Sequence, residues 1–120
     1  MPIRVVVVED NDVFRDALEV LLTLSGEIEI VASEADGDGI VERCEELAPD
    51  VLVVDYRLPG LDGVQVTRSV RERCPDVAVV ALTAAAEPLE RQALIDAGAS
   101  ACIGKDRPLD EIIEAVRQAA

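Results

Sequence analysis

Histidine and tryptophan are missing from this 120-residue chain, and tyrosine and phenylalanine occur once each. Without imidazole there is no ready general base at neutral pH, and a zinc site would need all three cysteines plus a carboxylate. Those cysteines, Cys44, Cys74 and Cys102, are widely separated and form no C-x-x-C pair. They read as reduced thiols acting as small buried hydrophobes, and their odd number argues against a secreted disulfide framework. Basic residues are scarce as well: 11 Lys and Arg against 25 Asp and Glu leave a formal net charge of -14. So acidic a surface repels DNA phosphates and anionic lipid headgroups, so direct contact with nucleic acid or membrane is not expected. A basic protein surface is the expected partner. Long hydrophobic runs are also lacking. Met1-Pro2-Ile3-Arg4 leads into an apolar segment that stops at Glu9. That is too short for a signal peptide, and no segment approaches a membrane span, so a cytoplasmic location is expected.

What is present is a chain of one-domain length, so residues 1–120 are read as one domain. Half of its residues are apolar, and with so few aromatics the interior must be Val, Leu, Ile and Ala. Ile3 to Val8 is a continuous, mostly β-branched run, which predicts a strand buried on both faces. Asp12 is a plausible N-cap for a helix carrying Phe14, Ala17, Leu18, Leu21 and Leu22 on one stripe and ending near Ser25-Gly26. Ile28 to Ala32 alternates more and includes Glu29, which suits a strand nearer an edge. Asp36 to Leu47 reads as a polar helix with Ile40, Val41, Cys44 and Leu47 inward.

The unit then repeats. Val51 to Val54 is a second fully buried strand, closed by Asp55, and Leu58 to Gly63 is a loop by its Pro and Gly content. Val66 and Val70 mark a helix ending at Cys74-Pro75, and Val77 to Leu82 is strand four. Glu87 to Ala97 is a helix opened by Pro88 and closed by Gly98. Ala101 to Ile103 is a short fifth strand, and Leu109, Ile112, Ile113 and Val116 line the last helix. Five strands alternating with five helices call for a doubly wound α/β fold, a parallel sheet covered on both faces. In such folds a crevice forms at the carboxyl ends of the strands, where the strand order reverses.

Glu9 and Asp10 leave strand one, Asp55 leaves strand three, Thr83 ends strand four, and Lys105 follows strand five. If the order is 2-1-3-4-5, strands one and three are neighbours and three carboxylates share one crevice. At ~4 Å and an effective dielectric of about 20, each close pair costs on the order of 4 kcal/mol, so protonation or a hard cation must relieve it. All-oxygen donors favour Mg²⁺. Asp10 and Asp55 are assigned as direct ligands, Glu9 as a ligand through water, and the Arg57 backbone carbonyl as a further one. A carboxylate beside Mg²⁺ can attack phosphorus and form an aspartyl phosphate. The charge on the transferring group would then lie between the cation, the Lys105 ammonium and the Thr83 hydroxyl. Taken singly these residues say little: Lys105 reads as a surface lysine, Thr83 as any β-branched strand end, and Gly60 and Gly63 as tight-loop residues.

Four pieces in order carry a resemblance: Val8-Glu9-Asp10-Asn11, Val53 through Gly63, Ala81-Leu82-Thr83-Ala84, and Gly104-Lys105. Over essentially its whole length the chain resembles a response-regulator receiver domain of two-component signalling. Val13 to Leu18 and Lys105-Asp106 are similar to the NarL/LuxR-type subfamily. The resemblance implies a phosphoacceptor switch: phosphorylation of Asp55 by a sensor histidine kinase or a small acyl phosphate, with Mg²⁺ as cofactor. It also implies control of a helix-turn-helix DNA-binding domain lying beyond Ala120, and homodimerisation on phosphorylation. Two departures stand out. The family commonly has an aromatic residue three positions before the lysine, here Cys102, and Pro after the lysine, often through a cis bond, here Asp106. Phosphatases with an aspartyl phosphate intermediate on similar folds carry a second Asp two residues after the nucleophile. Here Arg57 stands there, and Ala85, two after Thr83, offers nothing to hold water, so slow self-dephosphorylation is expected. A phosphorylation-independent module would not need Glu9, Asp10, Asp55, Thr83 and Lys105 together. A flavin site would need a phosphate-binding loop where Glu9 to Asp12 would repel phosphate.

Overall fold

Two uninterrupted aliphatic runs build the centre of the molecule. In the computed structural model, which describes residues 1–84 and 87–120, Val5 to Val8 and Val51 to Val54 are wholly buried. Each such side chain contributes roughly 1.5–3 kcal/mol by leaving water, which is how a core can form with almost no aromatics. The strands are β1 (Ile3–Val8), β2 (Ile28–Glu34), β3 (Val51–Asp55), β4 (Ala78–Thr83) and β5 (Ala101–Gly104). They alternate with α1 (Asp12–Leu24), α2 (Ile40–Leu47), α3 (Gly63–Arg73), α4 (Pro88–Ala97) and α5 (Asp110–Ala119). The sheet is parallel, in the order β2-β1-β3-β4-β5.

Alternation along the strands divides the core into two layers. Val6, Val8, Leu52 and Val54 pack with Ile40, Val41 and Cys44 of α2, Val66 and Val70 of α3, and Leu94 of α4. On the opposite face, Val5, Val7, Val51 and Val53 pack with Leu18 and Leu22 of α1 and Ile112, Ile113 and Val116 of α5. β1 is level with β3, Val8 opposite Val54, so Glu9 emerges beside Asp55. β3 and β4 pair Asp55 with Leu82, and β4 and β5 pair Thr83 with Gly104. The carboxyl ends of four strands therefore finish on one line. All three cysteines are buried and unpaired, and among the described residues no helix is long and apolar enough to cross a membrane.

Three local expectations are corrected. Asn11, not Asp12, caps α1: its Oδ1 accepts from the Phe14 N–H at 2.9 Å, while Asp12 is the first helical residue. Both residue types cap well, and Asn11 wins because it alone has the extended backbone a cap needs. Ala17 lies on the exposed side of α1 and does not join the buried stripe. α2 begins at Ile40, because Gly39 sits in the left-handed region at φ 76° and Asp36 accepts from the Asp38 N–H, so residues 36–39 form a turn. No cis peptide bond occurs among the described residues. Ala85 lies outside them.

Candidate functional site

Glu9 and Asp10 leave β1, Asp55 ends β3, Thr83 ends β4 and Lys105 follows β5. Each of Glu9, Asp10 and Asp55 offers one carboxylate oxygen, and these lie within 4.8 Å of one another. Glu9 is fully buried and Asp55 only 3% exposed, whereas Asp10 faces solvent. The Lys105 ammonium bridges the two buried acids, with Nζ 2.6 Å from Glu9 Oε1 and 2.9 Å from Asp55 Oδ2. Lys105 is the only lysine in the chain. Its backbone N–H donates to the Thr83 carbonyl at 2.6 Å, which ties the loop after β5 to the end of β4.

The loop after β1 is held as firmly. Glu9 Oε2 accepts from the Asn11 N–H at 3.0 Å. Arg15 donates to the Glu9 carbonyl at 2.7 Å and pairs with Asp12 at 2.6 Å. On β3, Asp55 Oδ1 accepts from the Arg57 N–H at 3.3 Å. Gly63 is required where α3 begins: a Cβ there would overlap the Asp55 carbonyl oxygen and lie 2.7 Å from the Tyr56 Cα. The helix thus starts directly against the strand end that carries Asp55.

Three carboxylates share one ammonium, which leaves the cluster short of positive charge. Two further signs of that deficit are visible at Glu9. Its Oε1 is buried without a well-directed hydrogen bond, the Lys105 contact being a close ion pair and not an aligned donor. Burial pushes its carboxyl up to about 7, with Lys105 and the Asn11 N–H pulling it back and the Asp55 charge adding to the rise. Burial works to lower the Lys105 ammonium, but the attraction of Glu9 and Asp55 outweighs that and holds it above its ordinary value. An all-oxygen donor set, an excess of negative charge and a buried oxygen with no aimed donor fit a hard divalent cation.

The structure thus brings Glu9, Asp10, Asp55 and Lys105 together. Thr83 is buried at the end of the adjacent strand. Burial pushes the neighbouring Cys102 thiol up, opposed by Arg91 and by a hydrogen bond with Thr83. Cys102 therefore packs inside, against the threonine. Arg57 meets the site through its N–H, while its exposed guanidinium lies 3.6 Å from Glu90 of α4. Sequence reasoning passed over Phe14 as a site residue: its ring lies 4.9 Å from the Lys105 ammonium. Composition gives no signal of this contact, since one phenylalanine and one lysine far apart in the chain share no spacing.

Comparison with known proteins gives a consistent picture. The model of the response regulator receiver domain matches residues 5–117. The transcriptional regulatory protein DegU of Brevibacillus brevis is 34% identical over 118 residues, covering 98% of this chain and 50% of that protein. The protein named probable transcriptional regulatory protein NarL, of Mycobacterium tuberculosis H37Rv, is 36% identical over 118 residues, covering 98% of this chain and 55% of that protein. The chain spans about half the length of the curated relatives it matches. Among solved structures, the signal receiver domain of NarL from Mycobacterium tuberculosis superposes with a TM-score of 0.92 at 35% identity, covering 98% of this chain and 94% of that one. A LuxR-family DNA-binding response regulator from Staphylococcus aureus gives 0.90 at 25% identity, covering 97% of each.

Proposed function

The chain belongs to the response regulator receiver domain family, and from that premise we propose that residues 1–120 form one receiver domain whose phosphoacceptor is Asp55. The observation that carries this reading is the Lys105 bridge: one ammonium within 2.9 Å of two buried carboxylates, in a cluster of three acids that shares it. An Asp55 oxygen attacks the phosphorus of a phosphohistidine or acyl phosphate. The new O–P bond forms as the donor's P–N or P–O bond breaks, and the bonding pair leaves with the donor. Charge on the transferring group spreads over its equatorial oxygens, so the protein acts by position and neutralisation. Lys105 moves from the Asp55 carboxylate to a phosphoryl oxygen, and the Thr83 hydroxyl donates to another.

Bound Mg²⁺ would supply the missing positive charge opposite Lys105. Asp10 and Asp55 would hold it directly, Glu9 through water, and the Arg57 carbonyl as a further ligand. The chain catalyses its own phosphorylation but does not turn over as a phosphatase. Arg57 stands where a second acid would activate water, so the phosphoryl group is lost slowly. Moving a two-state surface from 1:99 to 99:1 takes about 5.5 kcal/mol, and a dianion meeting a cation, Lys105 and Thr83 can supply much of it. The partners proposed are a sensor histidine kinase as donor, a helix-turn-helix DNA-binding output domain, and a second copy on phosphorylation, in the cytoplasm. The description of two relatives as transcriptional regulatory proteins supports the output domain.

The test is intact-mass analysis after acetyl phosphate with and without Mg²⁺. One phosphoryl group should appear on the wild type only with Mg²⁺, and none on Asp55→Asn. Equal uptake by Asp55→Asn would overturn the assignment. A phosphoryl lifetime of seconds would contradict the slow loss.

A further inference from the structure

The only lysine and the only phenylalanine of this chain meet at the site. Phe14 is the third residue of α1, and its own N–H donates to the Asn11 cap at 2.9 Å, so the ring springs from the loop that carries Glu9 and Asp10. The ring is half-buried and packs against the β1, β3 and α5 layer of the core. Its centroid is 4.9 Å from Nζ, inside the range where an aromatic face attracts an ammonium. The lysine side chain is 20% exposed, so the attraction acts in a partly dried setting.

We propose that Phe14 is a positioning residue for phosphoryl transfer, keeping the Lys105 ammonium over Asp55 while it changes partners. The proposal rests on the reading of Asp55 as phosphoacceptor. In the resting site Nζ is 2.9 Å from Asp55 Oδ2. On phosphorylation the same ammonium must pass to an oxygen of the new group, and Glu9 alone would draw it away toward its own buried carboxylate. A carboxylate binds an ammonium in a few directions, whereas an aromatic face attracts it over its breadth. The ring thus holds the charge near the reaction without fixing it to one oxygen. A leucine of similar bulk would fill the core but offer no such face.

The experiment compares acetyl phosphate-driven phosphorylation of the wild type, Phe14→Leu and Phe14→Tyr, and repeats Phe14→Leu in a Lys105→Met background. Phe14→Leu should be slower by roughly 3- to 30-fold. Phe14→Tyr, which keeps the ring, should restore the wild-type rate, and Phe14→Leu should lose nothing further once Lys105 is gone. A mere packing role would slow both backgrounds alike. Independently of phosphorylation, ¹³C-labelled lysine reports on one residue only. Its ε-methylene protons should be shifted upfield by the ring in the wild type and Phe14→Tyr, and not in Phe14→Leu. A wild-type rate in Phe14→Leu, equal losses in both backgrounds, or an unshifted ε-methylene signal each overturns the proposal. A wild type that takes no phosphoryl group would sink the assignment of Asp55, while the ring shift would still decide whether Phe14 holds the lysine.

Discussion

The two ends of the sheet hold buried polar chemistry of opposite kinds. At the carboxyl end, Glu9 and Asp55 are buried as acids around one ammonium. At the other end, a cavity of about 360 Å³ opens beside Cys44, Ala48, Cys74, Pro75 and Val77. That space is the less reactive end. Burial pushes the Cys44 thiol up to about 12 and raises Cys74 as well, so neither is a thiolate at neutral pH. Arg73, Glu45 and Asp76 carry charge at its rim, and Arg73 is already paired with Glu42 and Glu45. Unbalanced charge separates the functional end from the structural one.

Removing the ammonium tests the contrast hardest. Lys105→Met should slow phosphorylation by about 10²- to 10³-fold, the range for deleting one stabilising group at a charge-developing centre. It should also lower the stability of the cation-free protein by about 2–3 kcal/mol in a denaturant titration, because two buried acids lose their partner. Glu9→Gln removes a buried negative charge instead. Without a cation it should raise stability at neutral pH by about 1–2 kcal/mol, since only a charged Glu9 suffers from burial there. It should also shrink the rise in Tm that Mg²⁺ produces in the wild type. At ten times its Kd, Mg²⁺ stabilises the wild type by about 1.4 kcal/mol if the site exists. An unchanged Tm would remove the cation from the account.

The opposite end should respond in stability alone. Cys44→Ala leaves a small void in a buried layer and should cost about 1–2 kcal/mol with no change in phosphorylation rate. The smallest effect is a lack of reactivity. At pH 8 the three native thiols should resist alkylation and label only as the protein unfolds, because burial holds their deprotonated forms out of reach. Rapid labelling of Cys44 or Cys74 in the native state would break the comparison.

Much of this was legible in the residues because one pattern serves both fold and site. Val5 to Val8 and Val51 to Val54 can only be strands covered on both faces, so the acids that end them must share an edge once β1 and β3 pair. Lys105 is legible by the same logic at the end of β5. Harder to read were features decided by backbone detail. Asn11 and Asp12 are both good caps one residue apart, and composition does not choose between them. Residues 36–39 continue the polar character of α2, and only the left-handed Gly39 ends the turn before the helix. The Phe14 contact joins residues far apart in sequence with no shared period. As a helix stripe residue, Phe14 carries no mark of the ammonium above it.

The most direct measurement is borohydride trapping after acetyl phosphate and Mg²⁺, followed by peptide mass spectrometry. Reduction of an aspartyl phosphate converts that residue to homoserine, and the account predicts the conversion at position 55 alone. Homoserine at another acid, or none at position 55 in a protein that has gained a phosphoryl group, would contradict it.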